Sequence, residues 1–277
     1  MNNIMNKLAD IAEQNKHVND GDYIGSDGFL YCVKCHTPKQ CRVHWFDGTE
    51  KTVTCVCKCE SEAAKKAEEE RRKEERMQVI EKNRRIGFPD KSMTKCTFAN
   101  DDHANEKVTK IAKNFVTNFE TFKANGKGIV FCGGVGTGKT YMASCIANAL
   151  IDEGYTALVT NFSRIVNTLS GMYEGKQAYI DSLCEYGLLV IDDFGIERNT
   201  EYVNEIVYNV IDARYRSGKP LIITTNLKYS DLNNAEETSK ARIYSRIIEM
   251  CLPVSVIGKD RRKNKAQDSR LMDILNS

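Results

Sequence analysis

The sequence predicts an α/β fold, with a parallel sheet covered by helices on both faces, preceded by a small cysteine-rich N-terminal domain. Three observations lead to this prediction. Short apolar runs alternate with amphipathic helical patterns in the second half of the chain, which is typical of parallel strands buried on both faces. A glycine-rich segment, residues 133–140, separates one such strand from one such helix. Six of the eleven cysteines lie between Cys32 and Cys59.

The composition excludes several classes of protein. The 277 residues include 40 basic and 38 acidic side chains, so a net charge of +2 excludes a histone-like polybasic protein and an acidic disordered tail. Hydrophobic residues make up 41% of the chain, which is enough for a real core. No apolar run approaches the roughly 20 residues of a membrane helix, and the N-terminus lacks the apolar core of a signal peptide. We therefore expect a cytoplasmic protein without membrane contact.

Three segments of different composition define the predicted domains. Residues 1–59 carry the cysteine cluster, residues 60–85 are highly charged, and residues 86–277 carry the α/β pattern. The charged segment holds nine basic and eight acidic residues, and opposite charges recur at i,i+4, as in Glu62–Lys66 and Glu69–Lys73. Such pairs stabilise a solvated helix, here about 39 Å long at about 1.5 Å per residue. We predict a helical linker between the two domains.

The α/β segment divides into elements in a regular order. An apolar face between Val108 and Phe122 predicts its first helix. A later helix, Tyr202–Arg216, carries an apolar stripe and ends before Gly218, because glycine commonly follows a helix end. Apolar runs between the helices predict five strands: Ile129–Cys132, Ala157–Val159, Leu188–Ile191, Leu221–Thr225 and Leu252–Ile257.

The glycine-rich segment matches the phosphate-binding pattern G-x-x-x-x-G-K-[ST], between a predicted strand and a predicted helix, Tyr141–Glu153. Glycines let backbone N–H groups curl around phosphate oxygens at a helix N-terminus, where the helix dipole favours anions. We expect Lys139 to neutralise the β- and γ-phosphates of ATP, and the Thr140 hydroxyl to ligate Mg²⁺. The predicted nucleotide-binding residues are Gly133, Gly134, Val135, Gly136, Thr137, Gly138, Lys139, Thr140 and Tyr141.

Polar residues follow two further predicted strands. Asp192 and Asp193 come directly after Leu188–Ile191. We expect Asp192 to hold the magnesium ion through water, and Asp193 to orient or deprotonate the attacking water. Asn226 follows Leu221–Thr225, and we expect it to lie beside the γ-phosphate and help to place that water.

The cysteine cluster predicts a structural zinc site. The close pairs Cys32–Cys35 and Cys57–Cys59 would supply four thiolates in the tetrahedral arrangement that structural Zn²⁺ prefers. Such a short segment buries too little core to fold alone, so the metal would supply folding free energy. Cys55 is an alternative to Cys57, and the substitute ligands are Cys41, His36 and His44. The scattered cysteines are expected to be small core residues: Cys96, Cys132, Cys145, Cys184 and Cys251.

The order of the nucleotide motifs resembles the AAA+ class of P-loop ATPases, in which an apolar strand ending in asparagine follows the acidic strand. Segment 241–247 resembles the AAA+ box that carries an arginine finger. Arg246, in its Ser-Arg-apolar context, would be the finger, and Arg242, one helical turn earlier, is the alternative. A finger stabilises the transition state in a neighbouring subunit's site, so the resemblance implies a self-oligomer. Only 31 residues follow Arg246, and we expect no C-terminal lid.

Together, these motifs, the cysteine-rich N-terminus and the charged linker resemble the DnaC/DnaI-type replicative helicase loaders, including plasmid, mobile-element and phage versions, over about residues 29–262. The resemblance implies that the N-terminal domain grips a replicative hexameric helicase, which the protein places on single-stranded DNA in an ATP-dependent step. It implies slow hydrolysis, because Asp193 stands where many AAA+ enzymes have the longer Glu. It also implies single-stranded DNA contacts at Tyr173, Thr200 and Tyr202.

Two other functions stay open. An IstB-like transposition helper has nearly identical core motifs, although the cysteine-rich domain weighs against it. A nucleotide-gated adaptor that binds ATP but barely hydrolyses it is compatible with Asp193. Residues 258–270 hold six basic and two acidic residues, which fits either phosphate contact or a solvated tail. For Arg261, contact with the nucleotide is the alternative.

Overall fold

The computed structural model describes residues 19–234 and 238–261. The chain divides into two compact units, Met1–Arg76 and Met77–Ser277, and each is described by itself. Within the described ranges, no helix has both the length and the hydrophobicity needed to cross a membrane. Most of the basic segment 258–270, and the tail on which the expected absence of a lid depends, lie outside the described residues.

Two small antiparallel sheets precede a long helix in the first unit. Strand β1 (Tyr23–Ile24) pairs with β2 (Leu30–Tyr31), and β3 (Gln40–His44) pairs with β4 (Glu50–Thr54). The helix α1 is Lys58–Gly87, so it begins in the first unit and ends in the second. The charged segment is therefore helical throughout.

Charged side chains are paired along α1. Arg71 pairs with Glu68 at 2.8 Å and with Glu75 at 2.9 Å, and Arg72 pairs with Glu68 at 2.9 Å. These i,i+3 and i,i+4 pairs each contribute about 0.2–0.5 kcal/mol to helix stability. They give the helix local stability that does not depend on an apolar face.

The described part of the first unit has a polar interior. The buried Lys39 Nζ lies 2.7 Å from Asp22 Oδ2 and 3.3 Å from Glu60 Oε1. The hydrogen bond from Lys39 lowers the pKa of Asp22 to about 2. The buried hydrophobic residues described before residue 77 are two cysteines, Cys32 and Cys57. Apolar burial therefore contributes little to this unit.

The second unit is built on a five-stranded parallel sheet in the order β6-β7-β8-β5-β9. This sheet confirms the predicted α/β fold class, and each predicted strand is present. The strands are β5 (Gly128–Cys132), β6 (Ala157–Asn161), β7 (Leu188–Phe194), β8 (Leu221–Thr225) and β9 (Cys251–Ser255).

Two strands differ in extent from the prediction. Strand β7 continues through both aspartates to Phe194, with a bulge between Ile191 and Phe194. Strand β9 was predicted to reach Ile257 but ends at Ser255. The reason is that its partner β5 ends where the phosphate loop begins, so β9 has no neighbouring strand to pair with beyond that point.

Helices cover both faces of the sheet. Alternate residues of β5 face opposite sides: Ile129 and Phe131 pack with α2 and α4, whereas Val130 and Cys132 pack against the helices of the other face. Two 3-10 turns, 91–95 and 98–100, precede α2. The helices are α2 (Glu106–Thr117), α3 (Phe119–Ala124), α4 (Lys139–Asp152), α5 (Phe162–Ser170), α6 (Lys176–Glu185), α7 (Glu201–Ser217), α8 (Tyr229–Asn233) and α9 (Thr238–Met250).

The scattered cysteines divide into two groups. Cys132, Cys145 and Cys251 are buried in the core, as their apolar surroundings predict, whereas Cys96 and Cys184 are only partly buried. Because the sheet is parallel, the carboxyl ends of β5, β7 and β8 meet at one edge. The phosphate loop, the two aspartates and Asn226 follow these three strands, so the fold brings them together.

Candidate nucleotide site and cysteine cluster

The loop after β5 has the geometry of an anion-binding turn. Gly136 and Gly138 have φ angles of +74° and +97°, a left-handed conformation that side chains other than glycine rarely adopt. Gly138 is the N-cap of α4, and no side chain among the described residues caps this helix end. The first N–H groups of α4 are therefore available to an anion, which the helix dipole also favours.

Lys139 lies buried behind this loop. Its Nζ donates hydrogen bonds to Gly133 O at 2.9 Å, to Gly134 O at 2.8 Å and to Asn226 Oδ1 at 2.8 Å. The predicted lysine and the predicted asparagine are thus in direct contact, although 87 positions separate them. These three acceptors are neutral oxygens of the loop and of Asn226, and they hold the ammonium beside the loop.

Asp192 lies between the phosphate loop and β8. Its Oδ1 accepts hydrogen bonds from Thr140 Oγ1 at 2.7 Å and from Thr224 Oγ1 at 2.6 Å. Burial raises the pKa of this carboxyl, against the effect of the two hydroxyl donors. A carboxylate and a hydroxyl at this distance are the oxygen ligands that Mg²⁺ prefers, so the residues fit a magnesium ion.

Asp193 has an unusual backbone. Its φ angle is +53°, in the left-handed region that costs a residue other than glycine about 1–3 kcal/mol. Its N–H donates to Thr224 Oγ1 at 2.9 Å, at the bulge of β7. This conformation places Asp193 in the wall of the same cavity as Lys139. Non-glycine residues in this conformation concentrate at functional sites.

Lys139 and Asp193 line a cavity of about 360 Å³, whereas Asp192 is not part of its wall. Two wall residues, Asn100 and Asp102, were missed by the sequence analysis, because the 97–105 segment carries no recognisable motif. Arg261 reaches the cavity from the other end of the chain: its Nη1 lies 2.8 Å from Asp102 Oδ1, and its N–H donates to Gly136 O at 3.0 Å. The predicted Val135, Gly136, Gly138, Thr140, Tyr141 and Asn226 also line it. Its shape and donors fit a nucleoside triphosphate.

Thr137 and Tyr141 also support the loop. Thr137 Oγ1 donates to Gly134 O at 2.9 Å, which closes the turn. Tyr141 Oη donates to Thr97 O at 2.9 Å, which ties the segment before α2 to α4. Thr224 was missed as a site residue, although a polar side chain inside a buried strand was a usable signal.

Arg246 lies on a different surface, formed by α7 and α9. Its Nη2 pairs with Asp212 Oδ1 at 2.6 Å, and its guanidinium lies over the rings of Tyr208, at 4.6 Å, and Tyr215, at 5.8 Å. Arg242, one turn earlier, is exposed and lines the same groove. Neither arginine is among the described residues that line the nucleotide cavity. An action of either one on a nucleotide would need a second copy of the chain.

The residues predicted to contact DNA lie on the surface or at a helix end. The Tyr173 side chain is fully exposed, and Tyr202 is 43% exposed with Lys176 Nζ 5.8 Å from its ring centroid. Thr200 caps α7, because its Oγ1 accepts a hydrogen bond from Val203 N at 3.3 Å. A capping role accounts for Thr200 without DNA.

Four cysteine sulfurs cluster in the first unit. The Sγ atoms of Cys32, Cys35, Cys57 and Cys59 all lie within 4.8 Å of one another, with 3.5 Å between Cys32 and Cys59. Four sulfurs about 2.3 Å from a zinc ion would be about 3.8 Å apart, so this group fits a tetrahedral metal site. Cys55 is outside the group, and its Sγ donates to Pro38 O at 3.5 Å.

The other substitute ligands also have different partners. His36 Nδ1 lies 3.0 Å from Tyr23 Oη, and His44 pairs with Glu50 at 3.4 Å. Within the cluster, a hydrogen bond from Thr37 lowers the pKa of Cys35 to about 5, whereas Cys57 and Cys32 raise that of Cys59 to about 12. Crowded thiols of this kind cannot all ionise unless a cation balances their charge.

Comparisons with known proteins identify a family that matches most of this chain. Residues 60–269 match the family described as IstB-like ATP binding protein. The chain is 30% identical over 179 residues to the uncharacterized protein YdaV of Escherichia coli K12, covering 61% of this chain and 69% of that protein. The family match includes the phosphate loop, residues 133–140.

Two relatives carry the name of a replicative helicase loader. DnaI of Bacillus subtilis is 27% identical over 149 residues, covering 50% of this chain and 48% of DnaI. DnaC of Escherichia coli K12 is 28% identical over 125 residues, covering 44% of this chain and 49% of DnaC. The chain spans about half the length of these relatives.

A solved structure supports the fold. The crystal structure of DnaI superposes with a TM-score of 0.52 at 21% identity, covering 61% of this chain and 95% of that chain. Similarity at this level concerns the fold alone. Since the family match covers well over half of its residues, the chain belongs to the family of IstB-like ATP-binding proteins.

Proposed function

We propose that this protein is an ATP-dependent loader that binds a replicative hexameric helicase and places it on single-stranded DNA. The observation that carries the proposal is the combination, in one chain, of a phosphate loop backed by Lys139, Asp192 and Asn226 with a separate unit that holds four clustered cysteines. The relatives named as helicase loaders support the same function.

ATP would bind in the cavity after β5. The N–H groups of the loop and of α4 hold the phosphates, and Lys139 exchanges its loop carbonyl partners for phosphate oxygens. Thr140 and Asp192 would hold the magnesium ion, which supplies charge neutralisation between the phosphates when bound. Asp193 and Asn226 orient the attacking water. The short side chain of Asp193 makes hydrolysis slow.

Arg246 acts on the nucleotide of a neighbouring copy. Asp212, Tyr208 and Tyr215 hold its guanidinium in a defined position, which suits a residue that must fit an adjacent site. ATP would assemble the AAA+ units into a spiral through this surface. In that case an Arg246→Ala protein should still bind ATP but hydrolyse it more slowly. Mixing it with Lys139→Ala protein should restore hydrolysis, because the Arg246 of the Lys139→Ala copy completes the intact nucleotide site of its neighbour. Arg242→Ala serves as the comparison for the alternative finger.

The cysteine-rich unit binds zinc and the helicase. Cys32, Cys35, Cys57 and Cys59 are the proposed ligands, and their zinc orders residues 1–59 into a domain that grips the helicase. Residues 60–85 form the helical linker, and residues 86–277 form the ATPase domain. Tyr173, Thr200 and Tyr202 are the proposed contacts to single-stranded DNA, through ring stacking and phosphate binding.

Co-purification with the replicative helicase of the same cell tests the function. Size exclusion with light scattering is expected to report a complex in ATP. The amount or mass of this complex is expected to change in the Lys139→Ala protein. A protein that lacks residues 1–59 should form no complex. Failure to form a complex in ATP, ADP or nucleotide-free buffer would refute the loader.

An IstB-like transposition helper is the second candidate, because the family description favours it. The same light-scattering experiment with a transposase from the same replicon distinguishes the two.

A nucleotide-gated adaptor is the third candidate, and the short Asp193 favours it. Single-turnover hydrolysis by wild-type and Asp193→Glu proteins separates a slow ATPase, which Glu should accelerate, from an adaptor, in which neither protein hydrolyses ATP.

A further inference from the structure

Thr224 connects the two aspartates of the candidate site through a single hydroxyl. We infer that Thr224 is a positioning residue for magnesium–nucleotide binding, because its side chain fixes both the Asp192 carboxylate and the Asp193 backbone. The inference rests on the proposed nucleotide site and deepens it. Thr224 lies inside β8, and its side chain touches neither the cavity nor solvent.

The Thr224 hydroxyl both donates and accepts a hydrogen bond within the candidate site. It donates its proton to Asp192 Oδ1 at 2.6 Å and accepts the N–H of Asp193 at 2.9 Å. Thr224 is 0% exposed, so no water replaces either partner. A hydroxyl has one proton to donate, and this one is committed to the carboxylate.

The bond to Asp192 matters because Thr140 is the other donor to the same oxygen, at 2.7 Å. Thr140 comes from α4 and Thr224 from β8, so the carboxylate is held from two sides. Thr140 is itself a proposed magnesium ligand and has to adjust when metal and nucleotide enter. Thr224 has no such second role, so it would keep Asp192 Oδ1 in place when the metal binds. Groups that orient a metal ligand in this way typically contribute about 10–100-fold to metal affinity or activity.

The bond to Asp193 matters because that residue is strained. Its φ of +53° persists at a bulge where β7 has left its regular register with β8. The Thr224 oxygen is the acceptor that satisfies the Asp193 N–H in this conformation. Without it, the backbone is free to relax, and the Asp193 carboxylate leaves its place in the cavity wall.

The neighbouring Thr225 is a matched control. It has the same residue type on the same strand and is also 0% exposed. Its hydroxyl donates to Phe194 O at 2.7 Å and accepts the N–H of Leu227 at 3.1 Å, so both partners are backbone groups. The two threonines are therefore equally buried, and each hydroxyl donates one hydrogen bond and accepts one. They differ only in the groups that they hold.

The test compares Thr224→Val, Thr224→Ser and Thr225→Val in the full chain. Affinity for a fluorescent ATP analogue is measured in EDTA and in rising Mg²⁺, alongside the melting temperature and ATP hydrolysis. Thr224→Val is expected to lose about 10–100-fold in the magnesium-dependent part of affinity and in kcat, with unchanged affinity in EDTA. Thr224→Ser should recover most of this loss. Thr225→Val should lower the melting temperature as much as Thr224→Val while keeping magnesium-dependent affinity.

Three results would overturn the inference. Equal losses in Thr224→Val and Thr225→Val would reduce Thr224 to a structural role. A serine variant as defective as the valine variant would exclude the hydroxyl. An equal loss of affinity in EDTA and in Mg²⁺ would exclude an action through the metal ligand. If the wild-type chain binds ATP but does not hydrolyse it, the proposed ATPase fails while magnesium-dependent affinity still decides the role of Thr224.

Discussion

The two units of this chain are stabilised by different means. The second unit packs apolar side chains on both faces of its sheet, with residues such as Leu150 and Leu189 fully buried. In the described part of the first unit, the buried hydrophobic residues are two cysteines, while Phe46 is 89% exposed. One unit can therefore fold by burying its own surface, whereas the proposed zinc would supply the other with a cross-link.

Loss of the metal site is expected to have the largest effect, confined to the first unit. In Cys57→Ser, one of four clustered sulfurs is removed. Structural zinc supplies an apparent free energy of about 10–16 kcal/mol in small metal-dependent domains, so the first unit should unfold. Metal analysis should fall from one zinc per chain to none, and amide NMR signals of residues 19–57 should collapse to unfolded positions.

The control for that experiment is Cys55→Ser, two residues away and outside the sulfur cluster. It should retain one zinc per chain and the folded spectrum. Unfolding by Cys55→Ser with retention of structure in Cys57→Ser would mean that the ligand set is wrong. ATP binding by the second unit should survive both substitutions, and its loss in Cys57→Ser alone would contradict the independence of the two units' stabilities.

Removing apolar volume is expected to affect the second unit alone. Leu150→Ala deletes a fully buried side chain and should cost about 2–5 kcal/mol of unfolding free energy. Phe46→Ala deletes a larger side chain that is mostly in water, and should change stability by no more than about 0.5 kcal/mol. Urea unfolding of each variant measures both. A larger cost for Phe46→Ala would mean that the first unit has an apolar core after all.

The same contrast explains what the sequence could predict. In the second unit, the phosphate-loop motif and the apolar strands with polar ends assigned Lys139, Asp192 and Asn226 to one predicted nucleotide site, and the structure places the three at the same edge of the sheet. Neither signal extends to Asp102, which reaches Arg261 across 159 positions, or to Thr224, whose role depends on a bulge in the adjacent strand. In the first unit, the cysteine spacing predicted the group of four cysteines. It did not predict the buried Lys39, whose partners Asp22 and Glu60 lie on either side of it in sequence.

ATP is expected to stabilise the second unit through Lys139. At 100 times its dissociation constant, a ligand that binds only the folded state adds about 2.7 kcal/mol. Lys139→Ala should lose this gain, because its ammonium lies against the loop carbonyls where the phosphates would bind. The matched control is Lys219→Ala, since Lys219 Nζ also donates to a carbonyl, Glu185 O at 3.0 Å, away from the cavity. Differential scanning fluorimetry with and without Mg-ATP measures the gain; equal gains in both variants would exclude Lys139 from binding.

The smallest expected effect has the opposite sign, and it separates function from stability within the second unit. Burial raises the pKa of Asp192, so the folded state without nucleotide binds its proton more tightly than the unfolded state does. Asp192 therefore disfavours folding while it is ionised, and this penalty disappears as the pH falls through its folded pKa. Asp192→Asn keeps an oxygen that can accept from Thr140 and Thr224 but removes the charge. It should stabilise the nucleotide-free protein at pH 7 by about 0.5–2 kcal/mol and flatten the pH dependence of stability in the acidic range.

The same variant should lose magnesium-dependent ATP affinity, because the amide cannot balance the charge of the metal. Urea unfolding from pH 4.5 to 8 measures the stability of both proteins. The buffer contains zinc, and the transition of the second unit is followed alone. A destabilised Asp192→Asn protein at pH 7 would mean that the carboxylate is an ordinary structural acceptor. A stabilised one would mean that this unit, which folds by burying apolar surface, gives up some of that stability to keep a charge at its nucleotide site.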